Sequence, residues 1–299
     1  MRKIALSIAI LGTILLSALY TAPAHAQATR TWVSGVGDDA NPCSRTAPCK
    51  TFAGAISKTA TGGEINCLDP GGFGGVTITK SITLDCHEVY GSVLVSGTNG
   101  ITINAANGAV TLRNLNIDGV GTGLKGVSIL AAAKVSIEDV TVFGFTQQGI
   151  VDGRTGNGNL LFIRNTTVRN NGGAGVGAGA GATSTTLLEH VHSIGNAYGV
   201  AVATGNNVTV NRSVMSGNAT SGVEADSGGQ VFVNNTEIGQ NGTGVTAGGT
   251  ILLANSDVVF NTTAITGATT SFGNNRIFGN GSVGTTPTLG AASSDHGQQ

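Results

Sequence analysis

Residues able to do chemistry are sparse in this 299-residue chain, in which charged side chains make up only 10%. The densest cluster is Glu189, His190 and His192, which combines a carboxylate with two imidazoles. Those residue types suit acid–base catalysis or metal binding. The two histidines lack clear third and fourth ligands, so we favour a variant turn with exposed polar side chains over a catalytic site.

A second group of candidates could hold an acidic ligand. Asp152 and Arg154 flank one glycine, and Arg164 follows one strand later. We interpret this segment as a solvated turn with ion pairs, with acidic-sugar binding as the alternative. Asp226 is predicted to lie at the same strand end as Asp152, with Glu224 just before it. A single carboxylate at each level does not make a calcium cage, so we predict no metal and no cofactor, with calcium as an option only if the protein is a lyase.

The composition limits both the partners and the fold. The formal net charge is −1, which provides no electrostatic footprint for nucleic acid. Hydrophobic residues make up 40% and glycine supplies 48 positions, whereas proline supplies only 5. Abundant glycine mixed with valine, threonine and asparagine predicts many short strands joined by tight turns.

The first 26 residues have the pattern of a secretory signal peptide. Arg2 and Lys3 precede an apolar run from Ile4 to about Tyr20, and residues 24–26 fit an A-x-A cleavage site. The apolar run is short for a membrane span, which makes an uncleaved membrane anchor the less favoured alternative. We therefore expect a secreted, periplasmic or envelope protein without a membrane span after cleavage.

All four cysteines lie early in the predicted mature chain, at Cys43, Cys49, Cys67 and Cys86. An even number in an exported protein favours disulfides, for which three pairings are possible. We favour Cys43–Cys49 with Cys67–Cys86, because the first pair closes a short loop bounded by prolines. The spacings match no zinc-binding pattern, so a zinc site is the less favoured alternative.

One sequence unit recurs every 20 to 26 residues from Gly126 onward. Each copy opens with a small residue and a β-branched one: Gly126-Val127, Gly149-Ile150, Gly175-Val176, Gly199-Val200, Gly222-Val223, Gly244-Val245 and Ala264-Ile265. A short alternating strand and an asparagine follow in most copies. A unit of this length holds about three short strands and buries their inner faces only by stacking on its neighbours. The repeat therefore predicts an all-β solenoid of about nine coils.

Two asparagine positions that recur from unit to unit carry further predictions. The first precedes an apolar residue by three positions, at Asn114, Asn165, Asn211, Asn235, Asn255 and Asn274, with Asp139 in the same place. The second lies near the end of the unit, at Asn170, Asn196, Asn218, Asn241, Asn261 and Asn280. Asparagine tolerates left-handed backbone, and stacked asparagines can hydrogen-bond from coil to coil.

These motifs resemble the right-handed parallel β-helix, or pectin-lyase-like, repeat family. The segment from Val208 to Val214 is similar to its repeat, and Pro48 to Ile56 looks like its N-terminal segment, in which a short amphipathic helix covers the first coil. We therefore predict a cap with disulfides over residues 27–75 and the β-helix over 76–282, and the polar composition of residues 283–299 predicts a flexible tail. The resemblance implies no single activity, because the family mixes lyases, hydrolases, adhesins and tailspikes.

The alternation of the strands tests for an active groove of the kind that the resemblance implies. If the first valine of each repeat points inward, the outward residues are Ser128, Val151, Gly177, Ala201, Glu224 and Thr246. Glu224 alone can ionise, whereas a glycosidase or lyase needs partnered carboxylates or a cation site on adjacent coils. This argues against an enzyme of the pectinase type.

The middle strand of the repeat carries an outward stripe of large apolar residues: Phe162, Leu187, Phe232 and Leu252. Such a stripe marks an interface, with burial beneath a long turn or the tail as the equally weighted alternative. We therefore predict a non-catalytic exported scaffold that binds a polysaccharide or a cell-surface partner. A polysaccharide lyase or hydrolase is the alternative, and the sequence predicts neither the ligand nor the oligomeric state.

Overall fold

The computed structural model describes residues 27–290 apart from 88 and 182, so the predicted signal peptide lies outside the described residues. All 28 strands belong to one continuous parallel sheet, which winds into three faces that we call A, B and C. The all-β solenoid predicted from the repeat is confirmed, and it has about ten turns.

The strands are numbered in chain order, and each face takes one strand, or one part of a long strand, from successive coils. Face B contains β1 (Ala28–Val33), β2 (Thr59–Cys67), β5 (Ile82–Asp85), β8 (Ala109–Arg113), β11 (Lys134–Glu138), the first parts of β14 (Asn157–Arg169) and β16 (Thr183–Ile194), β18 (Asn207–Asn211), β21 (Gln230–Asn234), the second parts of β23 (Thr243–Ala254) and β25 (Thr263–Ser271), and β28 (Thr288–Leu289). Face A contains β4 (Val76–Ile78), β7 (Ile101–Asn104), β10 (Val127–Ala131), β13 (Ile150–Asp152), β15 (Ala174–Ala178), β17 (Tyr198–Val202), β20 (Ser221–Ala225), the first parts of β23 and β25, and β27 (Ser282–Gly284). Face C contains β3 (Gly71–Gly72), β6 (Gly91–Leu94), β9 (Leu115–Gly123), β12 (Thr141–Phe145), the second parts of β14 and β16, β19 (Val214–Ser216), β22 (Glu237–Gly239), β24 (Asp257–Val259) and β26 (Arg276–Phe278).

Inward side chains of successive coils stack into columns that form the core. On face A, Val200 pairs with Val223 and Val223 with Val245, and all three are at most 1% exposed. Their neighbours in the same strands point outward, as the period-2 alternation of a strand requires. Because each coil contributes one aliphatic residue per column, the core is continuous along the solenoid.

The corner between faces B and C is built from residues in the left-handed region. Asn165, Asp139 and His190 have φ angles of 48°, 55° and 53°. The other members of this corner are Asn114, Arg212, Asn235, Asn255 and Asn274. The prediction of Asn211 at this corner is wrong by one position, because Met215, not Val214, is the fully buried residue that follows the turn in this coil.

Buried asparagines form a ladder inside the corner between faces C and A. The Nδ2 of Asn218 donates to Oδ1 of Asn241 at 2.9 Å, and the Nδ2 of Asn241 donates to Oδ1 of Asn261 at 2.9 Å. The same bond joins Asn171 to Asn196 at 2.9 Å. Asn171 rather than Asn170 is the first rung, since Asn170 takes the left-handed turn position and is exposed. The ladder satisfies polar groups that would otherwise be buried without partners.

The N-terminal end of the solenoid is covered. Thr51 accepts a hydrogen bond from the Gly54 N–H at 2.9 Å and starts helix α1 (Phe52–Lys58). Phe52 and Ala55 are fully buried, and the Phe52 ring packs 5.3 Å from that of Phe73. The predicted capping helix is thereby confirmed, with its apolar face on the end of the core.

Two disulfides reinforce this end, in the predicted pairing Cys43–Cys49 and Cys67–Cys86. The Cys43–Cys49 loop lies against the outer edge of β1. The Trp32 N–H donates to the Cys43 carbonyl at 2.8 Å, and the Ser34 N–H donates to the Cys49 carbonyl at 2.9 Å. The loop therefore satisfies backbone groups that an edge strand would otherwise expose.

Candidate functional site

Asp152 and Arg154 form a buried ion pair rather than a surface site. Their side chains are 2% and 1% exposed, and Arg154 Nη2 lies 2.6 Å from Asp152 Oδ2. Arg154 Nε donates to Oδ1 of the same carboxylate at 2.8 Å, and its Nη1 donates to the Ala132 carbonyl at 3.0 Å. The interpretation as a solvated turn is wrong, because Asp152 takes an inward position that the Arg154 guanidinium neutralises. Arg164 lies on face B, away from this pair.

The Glu189–His192 segment spans the corner between faces B and C. Glu189 ends the face B part of β16, His190 takes the left-handed corner position, and His192 points outward on face C beside Thr167 and Val214. His190 Nδ1 lies 3.6 Å from Glu189 Oε1. His190 thus takes the corner position that asparagine holds in most other coils, and the side chains of His190 and His192 are exposed. Across residues 27–290, with their two gaps, no group of three or more His, Cys, Asp or Glu side chains is arranged to hold a metal ion.

Glu224 lies on the outer side of face A, and Asp226 follows in the turn after its strand. Burial raises the pKa of Glu224, and the nearby Asp226 carboxylate raises it further. Glu224 pairs with Ala201 and Thr246, as the predicted outward column requires. Asp226 is one residue beyond the position predicted for it: Asp152 aligns with Ala225, through Ala178 and Val202, and Asp226 is exposed in the following turn.

The apolar stripe lies on face B in the predicted column. Phe162 pairs with Leu187, and Phe232 pairs with Leu252, with Thr209 between the two pairs. These side chains are half-buried, apart from Phe232, which is 37% exposed. No turn of the described chain buries the stripe.

A row of alternating charges runs beside the stripe. Glu138 Oε2 accepts hydrogen bonds from Arg113 Nε at 3.2 Å and from Arg164 Nη2 at 3.1 Å. In the next coils, Glu189 Oε1 lies 3.3 Å from Arg212 Nη1. Arg113, Glu138, Arg164 and Glu189 occupy matching positions of successive strands, so each charge faces one of the opposite sign across one coil spacing, roughly 4.8 Å.

The stripe and the charge row meet in an open groove of about 390 Å³, which we call the face B groove. Its lining residues are Lys134, Ser136, Glu138, Phe162, Ile163, Arg164, Leu187 and Glu189. The Nζ of Lys134 lies 5.2 Å from the centroid of the Phe162 ring, a cation–π contact. An apolar floor is thus bordered by an ammonium group on one side and by guanidinium and carboxylate groups on the other.

Sequence reasoning identified Phe162, Leu187, Arg164 and Glu189 but not that they share one groove, and it missed Lys134, Glu138 and Arg113. The sequence nevertheless contains a pattern from which the charge row could have been predicted. Arg113, Glu138, Arg164 and Glu189 follow one another at the spacing of the repeat with alternating sign.

The described part of the chain contains no helix long and apolar enough to cross a membrane.

Comparisons with known proteins agree with this fold. The family model described as "Right handed beta helix region" matches residues 99–294. No curated protein matches the sequence significantly. Among solved structures, the full-length tailspike protein 2 of an Escherichia coli O157:H7 bacteriophage is similar with a TM-score of 0.60 and 13% identity, over 79% of this chain and 39% of the tailspike. This chain therefore spans about two fifths of the tailspike's length.

Two further structures share the architecture over most of the chain. An alginate lyase from Paenibacillus sp. strain FPU-7 has a TM-score of 0.57 and 13% identity, over 87% of this chain and all of the lyase (100%). A protein of Geobacillus virus E2 has a TM-score of 0.52 and 14% identity, over 87% of this chain and 60% of its own. At these identities the likeness concerns the fold.

Proposed function

The chain belongs to the right-handed β-helix family, and on that premise we propose that it is an exported, non-catalytic scaffold that binds an acidic polysaccharide along the face B groove. The observation that carries the proposal is the contact between Lys134 and the Phe162 ring beside the row formed by Glu138, Arg164 and Glu189. Sugar recognition needs both elements, because a pyranose ring presents an apolar C–H face and a rim of polar groups.

The apolar part of the groove suits the flat side of a sugar. Phe162 and Leu187 lie on adjacent coils and point outward from one sheet, so their side chains form a continuous surface. Thr209, Phe232 and Leu252 extend this surface over three more coils. A linear polymer fits a surface of this shape better than a compact ligand does, because the surface is long and open.

The charges favour an acidic polymer. Four cationic side chains border the groove or its charge row: Lys134, Arg113, Arg164 and Arg212. Carboxylates stand beside them: Glu138 and Glu189 in the groove, Asp85 opposite Arg113 in the strand register, and Asp139 at the corner position equivalent to that of Arg212. The Lys134 ammonium and the guanidinium groups are the groups that would bind the carboxylates of a polymer, since a guanidinium can bind them in a planar, bidentate manner.

The ion pairs of the groove favour binding over catalysis. Glu138 is held by two guanidinium groups and Glu189 by one, besides a hydrogen bond of 2.7 Å from the Asn211 amide. These partners from neighbouring coils engage the two carboxyl groups, whereas a general acid has to present its carboxyl group to the glycosidic oxygen of the substrate. Both side chains are therefore suited to fixing charges and sugar hydroxyls in place.

Export is the location that best suits this role. The signal-peptide pattern of residues 1–26 and the two disulfides both support an oxidising compartment outside the cytosol. Acidic polysaccharides of envelopes and matrices are found there.

The test is a glycan array that contains neutral and uronate-rich polymers, followed by affinity measurements on the polymer that binds. Phe162→Ala and Arg164→Gln should each weaken binding about tenfold, which corresponds to about 1.4 kcal/mol. The chain offers matched controls on face C, where the Arg169 guanidinium lies 4.4 Å from the centroid of the Phe143 ring. Phe143→Ala and Arg169→Gln should leave the affinity unchanged.

The proposal fails if no acidic polymer binds, or if the face C variants lose as much affinity as the face B variants. Binding should also weaken as salt rises, because it depends on charge pairs at an exposed groove.

A polysaccharide-active enzyme is the second candidate, and Glu224 is the observation that favours it. A carboxyl group with a raised pKa and a second carboxylate nearby is the arrangement that acid–base catalysis on sugars uses. Gly177 and Ala201 lie in the same outward column, so the surface beside Glu224 is low enough to admit a polymer.

Incubation with uronate polymers and calcium distinguishes the two candidates, with absorbance reporting new double bonds and a reducing-end assay reporting hydrolysis. Activity lost in Glu224→Gln but kept in Glu237→Gln, an exposed glutamate on face C, would establish the enzyme and displace the scaffold. Absence of turnover in the wild type, together with binding at face B, would support the scaffold.

A further inference from the structure

The C-terminal end of the solenoid exposes residues that occupy core positions. Leu289 pairs with Ser271, which pairs with Leu253, so the three residues form one inward column of face B. Leu253 is 0% exposed, whereas Leu289 is 85% exposed because no described coil lies beyond it. The last described coil thus carries an aliphatic side chain at a position that the coils up to Leu253 bury.

Other exposed apolar residues lie on the last two turns, on the other faces and at a corner of the solenoid. Val283 and Phe278 are more than half exposed, and Phe260 lies in the preceding coil with a φ of 56°. The rings of Phe260 and Phe278 meet edge to face, with centroids 5.7 Å apart. A left-handed backbone is unfavourable for phenylalanine, so Phe260 holds its exposed ring at this corner at a conformational cost.

The backbone of the last coil is open as well. Strands β26, β27 and β28 each pair with the coil below, and among residues 27–290 no further strand pairs with their outer edges. An exposed strand edge with an apolar surface is a template for another β-structure. The occupant therefore has to supply both backbone hydrogen-bonding groups and an apolar layer.

Residues 291–299 do not supply that layer. Residues 291–299 read AASSDHGQQ and contain no aliphatic side chain larger than alanine and no aromatic ring other than an imidazole.

The charge distribution favours a second copy of the same end. From Phe260 to Gly290 the only ionisable side chain is Arg276, which is paired with Asp257. Two copies can therefore meet end to end without bringing like charges together. A two-fold axis would also place the edge strands of the two copies antiparallel, which is a productive hydrogen-bonding arrangement.

We propose that the C-terminal end is a self-association surface, through which two copies join end to end into one longer solenoid. Assembly stops at two copies, because α1 and the Cys43–Cys49 loop cover the other end of each chain. The pairing does not depend on polymer binding.

The test is the mass of the full chain, after any cleavage during export, by light scattering and sedimentation over a range of micromolar concentrations. The wild type should have twice the mass of one chain at the upper concentrations. The double variant Phe278→Lys/Leu289→Lys should have the mass of one chain at every concentration. Val36→Lys/Leu94→Lys is the matched control, since Val36 and Leu94 are exposed apolar residues distant from this end, and it should remain a pair.

Milder single variants, Phe278→Ser and Leu289→Ser, should each shift the dissociation midpoint to higher concentration, and circular dichroism checks that every variant keeps its β-structure. A wild type that is monomeric throughout, or that grows into chains longer than two, overturns the proposal. It also fails if the lysine variant at the C-terminal end stays paired, or if Phe162→Ser/Phe232→Ser is what separates the copies. Glycan affinity measured on the separated variant stays independent of this result, since the face B groove lies in other coils.

Discussion

At each end of this solenoid the core and the strand edges are exposed unless another segment covers them, and the two ends differ in this respect. At the N-terminal end, Phe52 and Ala55 of α1 close the core, and the Cys43–Cys49 loop pairs with the outer edge of β1. At the C-terminal end, Leu289 stays exposed at a core position and the edges of the last strands have no described partner. The difference teaches that a repeat specifies contacts between coils but does not specify how a stack of coils ends.

The largest expected effect is a loss of stability when a buried side chain is removed from the covered N-terminal end. Phe52→Ala removes a fully buried ring that contacts Phe73 and should cost about 3–5 kcal/mol of stability. Phe278→Ala, at the open end, should change stability by less than about 0.5 kcal/mol, because the ring is exposed. Urea denaturation, at concentrations at which the chain is monomeric, measures both. Equal shifts of the two variants would mean that the ends are not different.

The disulfides allow a second, smaller perturbation of the covered end. Replacing Cys67 and Cys86 by alanine opens a loop with a sequence separation of 19 and should cost about 3 kcal/mol. Replacing Cys43 and Cys49 opens a loop with a separation of 6 and should cost about 2 kcal/mol.

Amide hydrogen exchange measures which strands lose stability in these two double variants. Both double variants should speed amide exchange in β1 and β2, whereas β26 to β28 should already exchange fast in the wild type. Slow exchange in the last coils of a monomer would contradict the open end.

The smallest expected effect is a pH-dependent change of the melting temperature. Burial raises the pKa of Asp39, but hydrogen bonds from Thr51 and Lys50 and the charge of Lys58 outweigh it, so its pKa is lowered from 3.8. A carboxyl group with a lowered pKa in the folded state stabilises the fold above its unfolded pKa, and this contribution is lost as the pH falls through the folded value. Asp39→Asn should therefore lower the melting temperature at pH 7, with the difference from the wild type vanishing in strong acid.

The control for this variant lies at the other end. Asp257→Asn breaks the exposed pair with Arg276 and should change the melting temperature little, because surface ion pairs contribute little to stability. A pH-independent effect of Asp39→Asn would show that lost packing, not charge, is responsible.

Much of the fold could be predicted because the spacing of the repeat gives the register in which strands of successive coils pair. The Gly-Val pairs identified the inward column that contains Val200, Val223 and Val245, and the alternation then gave the outward stripe of Phe162, Leu187, Phe232 and Leu252. The disulfide pairing followed from one short loop and from the even number of cysteines. These inferences succeed because they use local sequence spacing, which the period of a strand fixes.

The errors share one cause. The residue at which the chain turns a corner decides which of the neighbouring residues point into the core and which point outward. Arg212 rather than Asn211 turns the chain, and Asn171 rather than Asn170 enters the ladder. Asp152 aligns with the buried column of Ala225 and not with Asp226. A shift of one residue reverses inside and outside in a strand, and two adjacent polar residues give no local signal for choosing between them.

By itself, the sequence determined that the chain is a stacked all-β solenoid, which side chains form its aliphatic columns, and that an apolar stripe faces outward. These properties depend on periodicity, which a linear chain carries in full. Only the tertiary structure decided that Asp152 and Arg154 neutralise each other inside the core, and that Lys134, Glu138, Arg164 and Glu189 border one groove. It also decided that the N-terminal end is covered while no described residue covers the last described coil, because such contacts join residues from different coils and different faces, whose distances no local pattern records.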